Sequence, residues 1–310
     1  MMLRLLRNRN FIFFLAIALG LVFPQAASLG EPIMLWALAL VMMLATTNVP
    51  NDFFRTPRAI LKPSVAGIFM TYPLLGGIIL TLSALFIEQE HFRTGFILVA
   101  AVPPAVAVIP FSGLLGGNVS YSLAGTVAAY IGALIIMPVF FHLSLGANFA
   151  DPVTLIRIMV ILIVLPVIFS RIIIFFNLAD RIVPVKGLLT DWLFFIVMYT
   201  IIGTNRNLII DNPLIILPSA CIAFTATFVL GLIIEKTGAF FKIDRKEVNS
   251  LMLLGTLKNL GIAGGLALSL FSKETALPAA VYNIFMILYF IWLDLRKNLK
   301  DHAAETKTTY

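Results

Sequence analysis

The sequence predicts an all-α polytopic membrane protein with ten transmembrane helices. Hydrophobic residues occupy 60% of the 310 positions and charged residues 12%, and the mean hydropathy is +1.02. A soluble protein of this size carries about twice that share of charge. Apolar runs of about 20 residues, long enough for a helix to cross the hydrocarbon core, recur along the whole length.

Prolines and clusters of Gly, Asn and Asp mark most of the joints between these runs. The ten predicted spans are 9–25, 32–49, 59–87, 94–117, 119–142, 153–176, 187–204, 212–235, 246–271 and 275–295. Residues 1–28 also resemble a secretory signal peptide with a cleavage site near Ala27. We interpret them as the first span, because the repeat described below requires it.

Basic residues are distributed unevenly over the two sides that these spans define. With the N-terminus in the cytoplasm, the outer segments hold Arg93, Arg157, Arg206 and Lys273. Apart from Lys258, the rest of the 22 lysines and arginines lie in cytoplasmic segments. This bias predicts a multi-pass protein of the cell (inner) membrane with both termini cytoplasmic. Because the basic residues lie in short loops between apolar runs, we expect them to face the lipid bilayer surface and not a nucleic acid.

A repeat is visible at an offset of 155 residues. KPSVAGIFMTYPLLGGII (62–79) aligns with LPSACIAFTATFVLGLII (217–234), and AAVPPAVAVIPF (100–111) aligns with GTLKNLGIAGGL (255–266). Five spans separate the two halves, and this odd number makes the repeats inverted in the membrane. We therefore divide the chain into a first repeat (1–145, spans 1–5), a second repeat (150–296, spans 6–10) and a cytoplasmic tail (297–310). Chance similarity between apolar segments is the alternative.

Both segments of the second alignment interrupt an apolar run. Pro103 and Pro104 remove two backbone donors, so the fourth span must break there. Gly255 and Gly261 permit unwinding in the ninth span, and Asn259 is a good N-cap for the half-helix that follows. Unwound backbone at membrane depth lines a cavity or is packed in protein. Paired half-helix N-termini attract anions, a carboxylate above all, whereas simple kinking of packed helices is the alternative.

Lys258 lies in the middle of the ninth span. At 1.5 Å per residue it is about 16 Å from Glu247 and about 22 Å from Lys273, too deep for its side chain to reach either surface. An ammonium at that depth faces the protein interior or a wet cavity. We expect its partners to be backbone carbonyls of the unwound segments, hydroxyls and the substrate. A purely structural role in holding the broken helices is the alternative.

Over nearly its whole length, from RNRNFIFFLAIALGLVFP to the last span, the chain resembles the bile acid:sodium symporter family of organic-anion transporters. The resemblance is clearest in the two interrupted segments. It implies a panel domain (spans 1, 2, 6 and 7) and a core domain (spans 3–5 and 8–10), with spans 4 and 9 crossing at the substrate site. At that crossing we place the substrate-binding residues Ala105, Val106, Ser112, Lys258 and Asn259.

The sodium ligands of that family are not kept here. The corresponding positions hold residues that cannot ligate a cation, namely Ile68, Val108, Ile109, Leu254 and Lys258. Ser122 and Thr126 alone retain the ligand type, and hydroxyls in a helix often bond back to the helix's own carbonyls instead. We therefore expect no bound metal, and we interpret Lys258 as the substitute for the cation.

These observations predict a secondary active transporter of a small organic anion, carboxylate or bile-acid-like, that works by alternating access without sodium. The alternatives are a sodium-coupled symporter with a reduced sodium site and a non-transporting membrane sensor. Protons are the alternative coupling ion. An enzyme is not expected, because His91, His142 and His302 have no metal-ligand spacing and no nucleophile elbow or P-loop is present. No cofactor is expected.

Overall fold

The protein is an all-α membrane protein in its described residues, which contain helices and one isolated β-bridge but no strand. The computed structural model describes residues 6–47, 57–105, 107–145, 153, 157, 160–204, 206–211 and 213–308. Within them, six helices are long and apolar enough to cross a membrane: Pro24–Leu44, Ile60–Phe86, Val119–Ser144, Arg181–Thr204, Ile216–Phe240 and Lys273–Lys297. Shorter apolar helices cover Phe11–Val22, Leu165–Phe175 and Leu260–Leu270.

The helices follow the predicted apolar runs. In chain order they are α1 (Arg9–Val22), α2 (Ala27–Thr46), α3 (Pro57–Phe69), α4 (Gly77–Phe86), α5 (Glu90–Ala101), α6 (Val108–Leu114), α7 (Val119–Leu145), α8 (Leu165–Phe175), α9 (Ala179–Thr204), α10 (Arg206–Asp211), α11 (Pro213–Phe224), α12 (Leu230–Phe240), α13 (Arg245–Leu254), α14 (Leu260–Leu270) and α15 (Lys273–Thr308). Side-chain caps begin several of them; the Asn8 carboxamide accepts from Phe11 N and starts α1. The beginning of the predicted sixth span lies outside the described residues, apart from isolated positions.

Within the described ranges, three π-helical segments interrupt the regular winding. Met70–Gly76 joins α3 to α4, Thr225–Val229 joins α11 to α12, and Val160–Val164 precedes α8. Pro73 lies inside the first segment and lacks the backbone donor that regular α-helical bonding needs. Such wide turns often accompany functional sites. The first two segments each run through the middle of a long apolar helix.

The boundaries of these elements recur 155 residues apart. The π segments begin at residues 70 and 225, and the helices α5 and α13 begin at residues 90 and 245. In the first half α5 is followed by the short helix α6 and the long helix α7. In the second half α13 is followed in the same way by α14 and α15. From the π segments onward the two halves therefore share one order of helices, α4 to α7 in the first and α12 to α15 in the second.

Contacts between helices fall into two groups. α1, α2, α8 and α9 pack against one another, whereas α3–α7 and α11–α15 pack mainly among themselves. Fewer contacts join the groups, and they are made by α2 and α9 with α14 and α15. The breaks of the chain lie beside this boundary, because α14 follows one of them directly.

Close backbone approach holds the second group together at the crossing of α3 and α7. A Cβ placed on Gly67 would lie 2.4 Å from the Cα and 2.5 Å from the carbonyl oxygen of Gly125. Small residues let membrane helices approach this closely, and the approach increases their van der Waals contact. Any larger side chain at Gly67 would therefore push the two helices apart.

Candidate functional site

The helix breaks that the sequence predicts are present in the structure. α5 ends at Ala101 and α6 begins at Val108, while α13 ends at Leu254 and α14 begins at Leu260. Pro103 and Pro104 lie in the first break and Gly255 lies at the end of α13. Gly261, the second glycine expected to permit the unwinding, lies just after the break in the first turn of α14.

The two broken segments cross and pair with each other. Pro104 and Lys258 form an antiparallel β-bridge. Around it, Asn259 N donates to Pro103 O at 2.9 Å, and Ala105 N donates to Leu257 O at 3.2 Å. Backbone groups released by the helix breaks are thus satisfied across the crossing, as buried peptide groups require.

Lys258 places its ammonium against the carboxyl end of α5. The residue is 0% exposed, and Nζ donates to Ala100 O at 2.6 Å and to Val102 O at 2.9 Å. The last carbonyls of a helix have no intrahelical donors and carry a partial negative charge. The same ammonium lies 4.9 Å from the centroid of the Tyr72 ring, within cation–π range. The Lys258 side chain therefore links the ninth predicted span to the released carbonyls at the end of α5.

Asn259 connects three elements. Its side-chain oxygen accepts from Ile262 N at 3.1 Å, so it is the N-cap of α14 as the sequence predicts. Its Nδ2 donates to the Tyr130 hydroxyl at 2.8 Å and approaches Met42 Sδ at 3.3 Å. The Tyr130 hydroxyl in turn donates to Pro104 O at 2.9 Å. A buried polar network thus links α7, α2 and both broken segments.

The other predicted substrate-binding residues are divided between places. Ala105 is buried in the crossing, where its backbone pairs with Leu257. Val106 lies outside the described residues. Ser112 is not part of the contacts at the crossing, because its hydroxyl lies 3.1 Å from that of Ser250, on α13. The structure therefore brings Ala105, Lys258 and Asn259 together and places Ser112 with Ser250.

Ser122 and Thr126 are buried on α7, four residues apart. Neither hydroxyl has a hydrogen-bond partner within the part of the chain that the structure describes. The back-bonding to helix carbonyls that was their alternative interpretation is not observed. Leu254 packs against the same helix at Gly125, where an added Cβ would lie 2.8 Å from Leu254 Cδ1.

Three contact residues at the crossing were not predicted from the sequence: Met42, Tyr72 and Tyr130. For Tyr130 a signal existed, because it continues the series Ser122, Thr126 at four-residue spacing on one face of α7. Tyr72 precedes Pro73, which marks the π-helical segment. Met42 gave no signal, because a methionine in an apolar helix is ordinary.

In this structure the crossing is covered by α2. A Cβ on Gly261 would lie 2.3 Å from Leu38 Cδ2, and one on Gly265 would lie 3.2 Å from Leu38 Cδ1. Met42 lies one helical turn beyond Leu38 and contacts Asn259 and Tyr130. The face of α2 therefore fits against the glycines of α14 and seals the polar network.

No group of three or more His, Cys, Asp or Glu side chains that could hold a metal ion occurs among the described residues. Comparison with known proteins returns no match, neither to a protein-family model nor to a curated protein.

Proposed function

We propose that this protein is a secondary transporter that moves a small organic anion across the membrane by alternating access, without sodium. The observation that carries the proposal is the Lys258 ammonium, fully buried and bound to Ala100 O and Val102 O where two broken helices cross. A cation at that position neutralises the helix end whether or not an ion is bound from solution. A fixed charge takes the place of a coupling ion.

The proposed architecture is ten spans in two inverted five-helix repeats. Recurrence of the element boundaries at 155 residues supports it, together with the paired breaks in spans 4 and 9. Paired interrupted helices at corresponding positions of two halves are typical of transporter binding sites. The two contact groups then correspond to a panel of spans 1, 2, 6 and 7 and a core of spans 3–5 and 8–10. This arrangement is that of the bile acid:sodium symporter family, in which we place the chain as a divergent member.

In the proposed orientation both termini are in the cytoplasm of a cell whose inner membrane holds the protein. The support is the excess of basic residues in the segments on the N-terminal side. The outer side then contains the junction of α14 with α15 and the start of α2.

The proposed substrate site is the group of polar side chains at the crossing that α2 covers in this structure. Asn259 Nδ2 donates one N–H to the Tyr130 hydroxyl and directs the other to Met42 Sδ at 3.3 Å. The Tyr130 hydroxyl lies 3.5 Å from the same sulfur, but its single proton is donated to Pro104 O. A thioether is a weak acceptor, and a carboxylate is a strong one. When α2 moves away with the panel, an organic anion can replace the sulfur as acceptor. Lys258 supports the bound anion by its charge, while its own hydrogen bonds remain on the carbonyls.

Closure of the panel would then occur along the contact of Leu38 with Gly261 and Gly265. Glycines give α14 a smooth face on which a side chain of α2 can lie or from which it can separate. Since interfaces with few contacts permit relative movement, the sparse contacts between the two helix groups favour such a movement.

The proposal is tested with the purified protein and a library of small organic anions. Ligands that raise the thermal unfolding temperature would then be measured for uptake and exchange in proteoliposomes. We expect at least one carboxylate to bind and to be transported, and Lys258→Gln to lose that transport. Lys62→Gln is the matched control, because Lys62 has a 72% exposed side chain paired with Glu247. Transport by Lys258→Gln at the wild-type rate would contradict the proposal.

A second candidate is a sodium-coupled symporter with a reduced sodium site at Ser122 and Thr126. It is favoured by one observation, the two buried hydroxyls without a hydrogen-bond partner among the described residues. Oxygen atoms from backbone carbonyls would have to complete such a site. Dependence of anion uptake on sodium, lost in Ser122→Ala, would establish this candidate instead.

A further inference from the structure

A cavity lies away from the crossing, where the start of α2 meets the junction of α14 and α15. It encloses about 440 Å³. Its lining consists of apolar, hydroxyl and charged side chains: Glu31, Met34, Leu35, Leu268, Ser269, Phe271, Ser272, Lys273 and Glu274. We call this space the vestibule. It is bounded on one side by the α1, α2, α8 and α9 group and on the other by α14 and α15.

One ion pair joins two of the residues that line the vestibule. Lys273 Nζ lies 3.2 Å from Glu31 Oε1, and the two side chains are 52% and 37% exposed. Although this carboxylate oxygen is buried, it receives no directed hydrogen bond from any described residue. The other ion pairs formed between described residues stay within one helix group, Arg9–Asp191 in the first and Lys62–Glu247 and Arg296–Glu235 in the second.

We propose that Lys273 is an anion-recognition residue, and that the Glu31 carboxylate occupies it in the closed structure as an internal substitute for a carboxylate ligand. The ligand is an organic monocarboxylate with an apolar body, which binds in the vestibule by displacing Glu31 from Lys273. This deepens the proposed function and depends on it for the class of ligand. It adds a first binding site, separate from the crossing.

The lining matches such a ligand. Met34, Leu35, Leu268 and Phe271 provide an apolar surface for the body of the molecule, and Lys273 provides one cation for its carboxylate. Displacement of Glu31 is inexpensive, because exposed ion pairs without ideal geometry contribute little. Since Glu31 is partly exposed at the start of α2, its displaced carboxylate can turn to water.

The vestibule leads towards the crossing. Met34 lines it and lies 3.9 Å from a Cβ placed on Gly265; Leu38 follows one turn later against Gly261, and Met42 follows at Asn259. Residues four apart share one face of a helix, so these three side chains form a single stripe of α2. Glu31 lies about one turn before Met34, so breaking the Glu31–Lys273 pair frees the end of α2 from which this stripe begins. Binding of an anion in the vestibule is thereby coupled to separation of the stripe from the crossing.

A cationic ligand is the competing possibility, because Glu31 and Glu274 outnumber Lys273 in the lining. The test must therefore compare three probes with the same body: 3-phenylpropionate, the neutral 3-phenylpropanamide and the cationic 3-phenylpropylamine. Binding is measured by isothermal titration calorimetry of the full chain in lipid nanodiscs, with titrations into empty nanodiscs subtracted. The variants are Lys273→Gln and Glu31→Gln. Matched controls are Arg93→Gln and Glu88→Gln, exposed charges near the start of α5 that do not line the vestibule.

We expect the wild type to bind 3-phenylpropionate in preference to the amide and the amine. Glu31→Gln should bind the carboxylate about two- to fivefold more tightly, because the internal competitor is gone. Lys273→Gln should lose the preference for carboxylate over amide, and both controls should bind as the wild type does. Wild-type affinity in Lys273→Gln, unchanged or weaker binding in Glu31→Gln, or preference for the amine would overturn the proposal.

The readout separates this proposal from the proposed function. Binding in nanodiscs does not require transport, so a protein that binds the carboxylate through Lys273 and moves no anion would refute transport alone. Conversely, anion transport with titrations that are insensitive to Lys273 would refute the vestibule site alone.

Discussion

Replacement of Lys258 by methionine removes the ammonium and keeps an unbranched apolar stem. Ala100 O and Val102 O would then lose a donor in a site without exposure. Each buried carbonyl left unsatisfied costs about 1–3 kcal/mol. The lost cation–π contact with Tyr72 adds up to about 2 kcal/mol.

The opposing effect is relief of the desolvation of a buried charge, which amounts to several kcal/mol per ion. The full desolvation free energy would be recovered only if the buried ammonium made no favourable contacts. Here two short hydrogen bonds and an aromatic ring already offset part of that desolvation. Since the groups left behind are two neutral carbonyls, their loss of a donor at about 1–3 kcal/mol each is the larger effect. We therefore expect Lys258→Met to lower the free energy of unfolding by about 2–4 kcal/mol, and Lys258→Gln, which keeps an N–H donor, to lower it by about half as much.

The assay is reversible unfolding in mixed dodecyl maltoside and sodium dodecyl sulfate micelles, followed by circular dichroism. Lys62→Met is the control, because its side chain is 72% exposed and its ion pair with Glu247 should contribute less than about 1 kcal/mol. If Lys258→Met were as stable as Lys62→Met, the ammonium would not hold the crossing together and the reasoning above would be refuted.

Further predictions concern packing and the polar network. Gly261→Ala should impair transport by holding Leu38 off α14, and Leu38→Ala in the same chain should restore it, measured by exchange in proteoliposomes. Gly67→Ala should lower the unfolding free energy more than Gly77→Ala, whose Cβ would meet nothing within 4 Å; equal losses would contradict the close-approach argument. Tyr130→Phe should cost about 1–3 kcal/mol of stability by unpairing the network at the crossing, and a neutral result in the micelle assay would count against it.

The positions of the helix breaks were predictable because they depend on local chemistry. Pro103 and Pro104 have no backbone donors and Gly255 tolerates the end of a helix, so the sequence indicates each break without knowledge of the neighbours. The N-cap at Asn259 is equally local. The depth of Lys258 followed from counting residues along a helix of known rise.

What the sequence did not reveal depends on how the helices rotate and pack against one another. Ser112 was expected at the crossing, but its face of α6 turns to Ser250 instead. Gly261 was noted only for permitting the unwinding before it, and its close approach to Leu38 of α2 gave no local signal. The vestibule could not be predicted either, because Glu31 and Lys273 are far apart in the chain and nothing local indicates that they meet.

The central claim, that the Lys258 ammonium replaces a bound sodium ion, is tested most directly by anion uptake in proteoliposomes with sodium replaced by choline. Buffers of equal ionic strength and pH keep screening constant, and a sodium-dependent symporter reconstituted in parallel shows that the replacement is effective. The account predicts the same initial uptake rate in both buffers, because the positive charge at Ala100 O and Val102 O belongs to the chain. A collapse of uptake in choline would contradict it.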